Sequence, residues 1–207
     1  MSGAAWLVRT IALVAAVVLV FRWGINVLRG DGPLEEAWQM ARFFTILTNL
    51  GILIAFASAA LAGRLVSART SGALTLFIAV VALVYHALLY QGFSPATIDF
   101  WIDHGLHTLI PALMVLYWMT VADARALRLR DAALWMLWPL AYLAYVILRG
   151  MVEGSYPYFF LDISRFGVAR VALNAILLTV LFFGLALGLI WINRMLRRRR
   201  PVPPPPV

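Results

Sequence analysis

Residues 168–192 read VARVALNAILLTVLFFGLALGLIWI, an apolar run whose one charge is Arg170. About 20 mostly apolar residues suffice for a helix to cross the hydrocarbon core of a bilayer. Five further runs of this kind precede it, at 5–27, 41–61, 72–90, 100–121 and 132–148. The connections between them are short, with no internal repeat, so the expected fold is all-α, a single bundle of six transmembrane helices over residues 1–196. Residues 197–207, four arginines followed by a nearly all-proline stretch, are expected to form a basic, disordered cytoplasmic tail.

Composition agrees. Of 207 residues, 64% are hydrophobic and 13% charged, and the mean hydropathy is +0.91. A water-soluble domain carries roughly half apolar and a quarter charged residues, and one of this size would have too few polar residues to cover its own surface. Soluble enzymes, disulfide scaffolds and disordered chains are thereby excluded. The absence of cysteine removes thiolate metal sites, iron–sulfur clusters and cysteine nucleophiles from consideration. Run 5–27 reads as a span and not a signal peptide, because no basic stretch leads into its apolar core and Arg22-Trp23 stands where small residues should precede cleavage.

All 17 basic residues are arginines, giving a formal net charge of +8. They sit between apolar runs and ahead of the tail, not in an aromatic-interleaved groove, so they imply topology and no nucleic-acid partner. With six spans, Arg64, Arg69, Arg125, Arg128, Arg130, Arg194 and Arg197–Arg200 fall on one side. Arg29, Arg42, Arg149, Arg165 and Arg170 fall on the other. The positive-inside rule then places both termini in the cytoplasm, in a multi-pass protein of the cell membrane. Arg197–Arg200 suit a stop-transfer flank or an anionic-lipid contact. Gly184 and Gly188 have the small-xxx-small spacing that permits close helix approach, within the chain or in a homodimer.

Polar residues inside membrane helices are costly and are functional candidates by default. Here they are Arg22; Thr45, Thr48 and Asn49; His86; Asp103, His104, His107 and Thr108; and Asn174. On the expected topology all lie in the outer half, Thr45 about 6 Å below its helix end and His107 about 10–12 Å. This predicts one outward-opening polar pocket above a nearly bare inner half. Thr45, Thr48 and Asn49 share a helix face, and Asp103 is four residues from His107. Gly105 leaves room for a neighbouring helix, and Pro111 frees the carbonyl of His107.

A threonine hydroxyl attacks only with a base beside it, and a neutral buried histidine is such a base. Asn49 then reads as an oxyanion donor, and Arg22 as a partner of Asp103 or of a substrate carboxylate. Each residue also has a plain reading. Membrane threonines commonly bond their own i−4 carbonyl, and membrane histidines join helices. His86, His104 and His107 could instead ligate haem or a metal, although no third convincing ligand shares a face, and neither metal nor cofactor is expected. A transporter of a small solute or lipid would need polar groups continuing inward.

Phe44-Thr45…Thr48-Asn49-Leu50, His104-Gly105-Leu106-His107 with Pro111, and Tyr156-Pro157-Tyr158-Phe159-Phe160-Leu161-Asp162 together resemble the androgen-induced six-helix membrane family and its bacterial relatives. The resemblance covers residues 38–174. It implies a hydrolase of fatty acid esters of hydroxy fatty acids, acting on membrane lipid with Thr45 as nucleophile and His107 as base. Two positions depart from the pattern: Asp103 replaces the asparagine of animal members, and Thr48, where bacterial relatives often have serine, is a rival nucleophile. The aromatic stretch with Tyr156 and Tyr158 reads as an interfacial lid or anchor, and its Asp162 as a partner of Arg165 or Arg170.

Overall fold

The computed structural model describes residues 3–90 and 92–198 and is helical, with no strand among them. The tail positions Arg199, Arg200 and 201–207, expected to be disordered, lie outside the described residues. Helix α1, Gly3–Leu28, buries Leu7, Val8, Ile11, Ala12, Ala15 and Leu19, a stripe at three- and four-residue spacing. Its opposite face is equally apolar, with Leu13 65% and Val20 62% exposed. A helix apolar on all sides belongs inside a large core or in lipid. The same holds for the last helix, where Ile176, Leu177 and Val180 face outward.

Gly30, at φ 119°, turns the chain after α1. Next comes an element that hydropathy does not reveal, α2, Pro33–Met40. Pro33 begins it and Glu35 and Glu36 occupy its first turn, where the helix dipole favours anions. It lies across the end of α1: Trp23 Nε1 donates to the Pro33 carbonyl at 3.0 Å, and Asn26 Nδ2 to Glu36 Oε1 at 2.7 Å. Helix α3, Phe44–Leu61, follows a turn at 41–43, so the span starts three residues later than its hydropathy suggests.

Helix α4, Ala68–Val84, is N-capped by Ser67, whose Oγ accepts from the Thr70 amide at 3.1 Å. It runs into a π turn at Tyr85–Leu89. The fourth apolar run is one continuous helix in three parts: α5 (Ile98–His104), a π turn (Gly105–Leu109) and α6 (Ile110–Thr120). Pro111 has no N–H and would crowd a regular helix one turn earlier; the wide turn just before it absorbs that conflict. Helices α7, Leu129–Trp135, and α8, Leu137–Glu153, are separated at Met136, three residues before Pro139, for the same reason. Helix α9, Ile163–Arg198, is interrupted near its start by Gly167 at φ 74°.

Tyr117, Trp118, Met114 and Phe56 are fully buried at the centre of the core. Gly72 is required there, because a Cβ would lie 2.7 Å from the Trp135 ring and 2.9 Å from that of Trp118. Gly105 does bring helices together as expected: a Cβ would meet Val18 of α1 at 2.7 Å. Five helical stretches among the described residues are long and apolar enough to cross a membrane: Gly3–Leu28, Phe44–Leu61, Ala68–Leu89, Leu129–Glu153 and Ile163–Leu196. The helix from Ile98 to Thr120 differs from these by carrying Asp99, Asp103, His104 and His107.

The half of the bundle away from α2 is not bare. Ser71, Thr75 and Asn193 are completely buried there. Ser71 donates to the Ser67 carbonyl at 2.8 Å and Thr75 to that of Met114 at 3.3 Å, while Asn193 donates to that of Trp118 at 2.6 Å. The bonds of Thr75 and Asn193 tie helices together while that of Ser71 stays within its own helix, and none of the three residues lines the cavity described next. Gly184 and Gly188 have open space where a Cβ would stand, so their side of α9 is uncovered in the single chain.

Candidate functional site

A cavity of about 540 Å³ lies at the α2 end of the bundle, within the usual size of small-molecule sites. Its polar wall comes from the last turns of α1, from α2 and from the turn after it: Arg22, Asn26, Glu36, Gln39 and Arg42. Its apolar wall reaches toward the interior along α4, α8 and α9, with Val80, Pro139, Leu143, Leu178 and Phe182. Thr45, Asp103, His107 and Tyr158 also line it. A polar end and a greasy end suit an amphiphile.

The first turn of α3 carries Thr45, 8% exposed. The π turn before Pro111 carries His107, whose Nδ1 lies 2.9 Å from the carbonyl oxygen of Asp103 and 3.2 Å from its Oδ1. A carbonyl oxygen only accepts, so in the neutral ring Nδ1 bears the hydrogen and Nε2 holds the free lone pair. The other carboxylate oxygen of Asp103 accepts from the Tyr85 hydroxyl. The Tyr85 ring stacks on His107 at 3.9 Å between centroids, which fixes the imidazole plane. The π turn at Tyr85–Leu89 supplies Tyr85. Both wide turns therefore fall on the walls of the site, a common position for such irregularities.

The aromatic stretch after α8 folds back over α3. The Tyr158 hydroxyl accepts from the Phe44 amide at 3.1 Å and is in hydrogen-bonding contact with the side chains of Thr45 and Tyr142. Burial pushes its phenol above the ordinary tyrosine range. The Tyr142 hydroxyl donates to the Arg42 carbonyl at 2.6 Å. Tyr156 fills the notch at Gly150, where a Cβ would come within 2.2 Å of its ring, and so anchors the stretch to α8. Asn174 donates to the Phe160 carbonyl at 2.8 Å and supports the stretch from α9.

Several expectations change. Asn49 is fully buried, off the cavity, and its amide donates to the Thr45 carbonyl at 2.9 Å, so it is not an oxyanion donor. Thr48, 1% exposed, does not line the cavity either and loses its claim as a rival nucleophile. Arg22 lies 4.0 Å from Asp99 and not against Asp103; Asp99 is held in turn by Arg29 at 2.6 Å. His104 bonds the Phe100 carbonyl through Nδ1 at 2.9 Å, and His86 bonds Thr108 at 3.1 Å. Neither lines the cavity, and no group of three His, Asp or Glu among the described residues could hold a metal ion. Asp162 caps α9, accepting from the Arg165 amide at 3.0 Å instead of a guanidinium. The Ser164 hydroxyl and that amide hold its carboxyl below the usual range.

Sequence reasoning also missed residues. Buried Glu36 and Arg149 are not apparent from hydropathy, although Arg149 and Glu153 have the i, i+4 spacing of a helical ion pair and meet at 2.8 Å. Arg42 joins Glu153 at 2.6 Å, and the Arg149 guanidinium lies 4.0 Å over the Trp38 ring, binding α2 to α8. Tyr85 was hidden beside the more conspicuous His86. No protein-family model, no curated protein and no solved structure matches the chain.

Proposed function

We propose that this chain is a six-span membrane hydrolase of lipid carboxylic esters, such as fatty acid esters of hydroxy fatty acids, with both termini cytoplasmic and the cavity opening outward. The observation that carries the reading is that one amphipathic cavity is lined both by Thr45 and by His107, a histidine whose Nδ1 is occupied by Asp103. The sequence resemblance assigns the same two residues. The helix Ile98–Thr120, fourth in chain order, completes the six spans, and its polar residues are tolerated because they face partners and a cavity. The acyl chain lies along Leu143, Leu178 and Phe182, and the polar end of the substrate lies toward Arg22 and Gln39.

In this mechanism Nε2 of His107 takes the Thr45 proton as Oγ1 attacks the ester carbonyl. The proton then passes to the departing alkoxide as the ester C–O bond breaks, leaving an acyl-threonine. Water, deprotonated by the same imidazole, releases the fatty acid. Asp103 holds the tautomer and faces the imidazolium that forms, the division of labour known from serine hydrolase triads. Haem or metal ligation would need histidines that converge, whereas these three have separate partners. Solute transport would need a polar path onward, and Ser71, Thr75 and Asn193 are engaged in bonds between and within helices. The test is hydrolysis of a fatty acid ester of a hydroxy fatty acid by purified protein in detergent. Wild type should turn over and Thr45→Ala should not; equal rates in the two would sink the reading.

A further inference from the structure

An ester attacked by Thr45 develops a negative charge on its carbonyl oxygen, and a hydrolase needs a donor aimed at that oxygen. Asn49 cannot serve, being buried off the cavity with its amide on the Thr45 carbonyl. Three tyrosines line the cavity: Tyr85, Tyr142 and Tyr158. The hydroxyl hydrogen of Tyr85 is committed to the Asp103 carboxylate and that of Tyr142 to the Arg42 carbonyl, acceptors that persist whatever enters the site.

Tyr158 differs. Its oxygen accepts from the Phe44 amide at 3.1 Å, and the Thr45 amide and hydroxyl lie against it as further donors, which leaves the phenol's own hydrogen to point to another acceptor. The ring is held by a stack on Phe160, 5.4 Å between centroids and 4° from parallel, and by an edge contact with Phe43 at 6.3 Å. A rigid phenol beside the attacking oxygen, fed by a helix N-terminal amide that polarises it, is a preorganised donor.

We infer that Tyr158 is a catalytic residue, the oxyanion donor, whose O–H is given to the substrate carbonyl oxygen as the tetrahedral intermediate forms. The inference rests on the ester-hydrolase reading above. The electron pair of the C=O bond moves to oxygen as the Oγ1–C bond forms, and Tyr158 donates a hydrogen bond without giving up its proton. When the intermediate collapses, the C=O bond is restored, the alkoxide leaves with the proton from His107, and the phenol keeps its proton. The aromatic stretch thus contributes to the chemistry as well as covering the site.

The experiment compares purified wild type, Thr45→Ala and Tyr158→Phe on one fatty acid ester substrate, together with wild type carrying 3,5-difluorotyrosine at position 158. Tyr158→Phe keeps the ring and should lower kcat about 10²–10³-fold, the usual cost of one oxyanion donor, with KM nearly unchanged. The fluorinated phenol ionises more readily, and a phenolate cannot donate, so the alkaline loss of kcat should move to lower pH. That shift is readable even if the phenylalanine variant does not fold, and a packing role would not produce it. Full kcat in Tyr158→Phe, or an unmoved alkaline limb, overturns the donor role while Thr45→Ala stays inactive. Turnover by Thr45→Ala would instead overturn the nucleophile, and the donor with it.

Discussion

His107 gains its chemistry from what its Nδ1 touches. With the Asp103 carbonyl at 2.9 Å and carboxylate at 3.2 Å on that nitrogen, the opposite nitrogen is the one left basic. Residue identity and spacing made this pair readable: four residues on a helix bring two side chains together. They did not reveal Tyr85, whose bond to Asp103 and stack on His107 depend on the end of α4 meeting the helix Ile98–Thr120. A general base contributes typically 10²–10⁴-fold. His107→Ala should therefore lower ester turnover within that range while leaving detergent-extracted protein folded, as read by its thermal midpoint. The Asn49 expectation failed for a local reason: an asparagine four residues after Thr45 can bond back to its carbonyl, and that bond, at 2.9 Å, faces the helix and not the substrate.

At the scale of elements, five long apolar helices were legible because hydropathy over some 20 residues is a strong signal. What was not legible is where the chain departs from regular helix. Helix α2 is short and amphipathic, so it looked like a connection; its packing comes from Trp23, Asn26 and the Arg42–Glu153–Arg149 network. The π turn at Gly105–Leu109 was foreshadowed by Pro111, but a freed carbonyl was the expected outcome and a widened turn is the result. That turn sets which way His107 faces. Pro111→Ala restores an N–H to position 111 and permits a regular α-helix, which removes the extra residue of the wide turn and rotates His107 by about 100° relative to α6. The variant should melt no lower than wild type, since an interior proline typically costs about 3 kcal/mol, and it should lose ester turnover. Full activity with the same stability would show that the wide turn has no part in aiming the imidazole.

For the whole molecule, the distribution of arginines and the placement of the cavity point the same way. The sequence assigns ten of the seventeen arginines to one side of the proposed bundle, and the cavity lies beside α2, at the end away from Arg64 and Arg69. The polar side of the cavity was legible only in part: of the polar residues expected at one level, Arg22, Thr45, Asp103 and His107 line it, whereas Thr48, Asn49, His86, His104, Thr108 and Asn174 do not. The apolar wall was not legible, since Leu143, Leu178 and Phe182 are indistinguishable in sequence from lipid-facing residues. A chain without cysteine makes the topology directly measurable. Single cysteines at the exposed positions Asp31 and Ala96 should react with a membrane-impermeant maleimide on intact cells, and one at Arg64 only after permeabilisation. The reverse pattern would turn the cavity to the cytoplasm.

The most direct test of the central claim is to treat the purified, detergent-solubilised protein with a fluorophosphonate probe and locate the adduct by mass spectrometry. An activated hydroxyl beside a base forms a stable phosphonyl ester, whereas an ordinary helix threonine does not. The account predicts one adduct, on Thr45, absent from Thr45→Ala and strongly slowed in His107→Ala. No adduct on folded wild type, or an adduct on another residue that persists in Thr45→Ala, would contradict it.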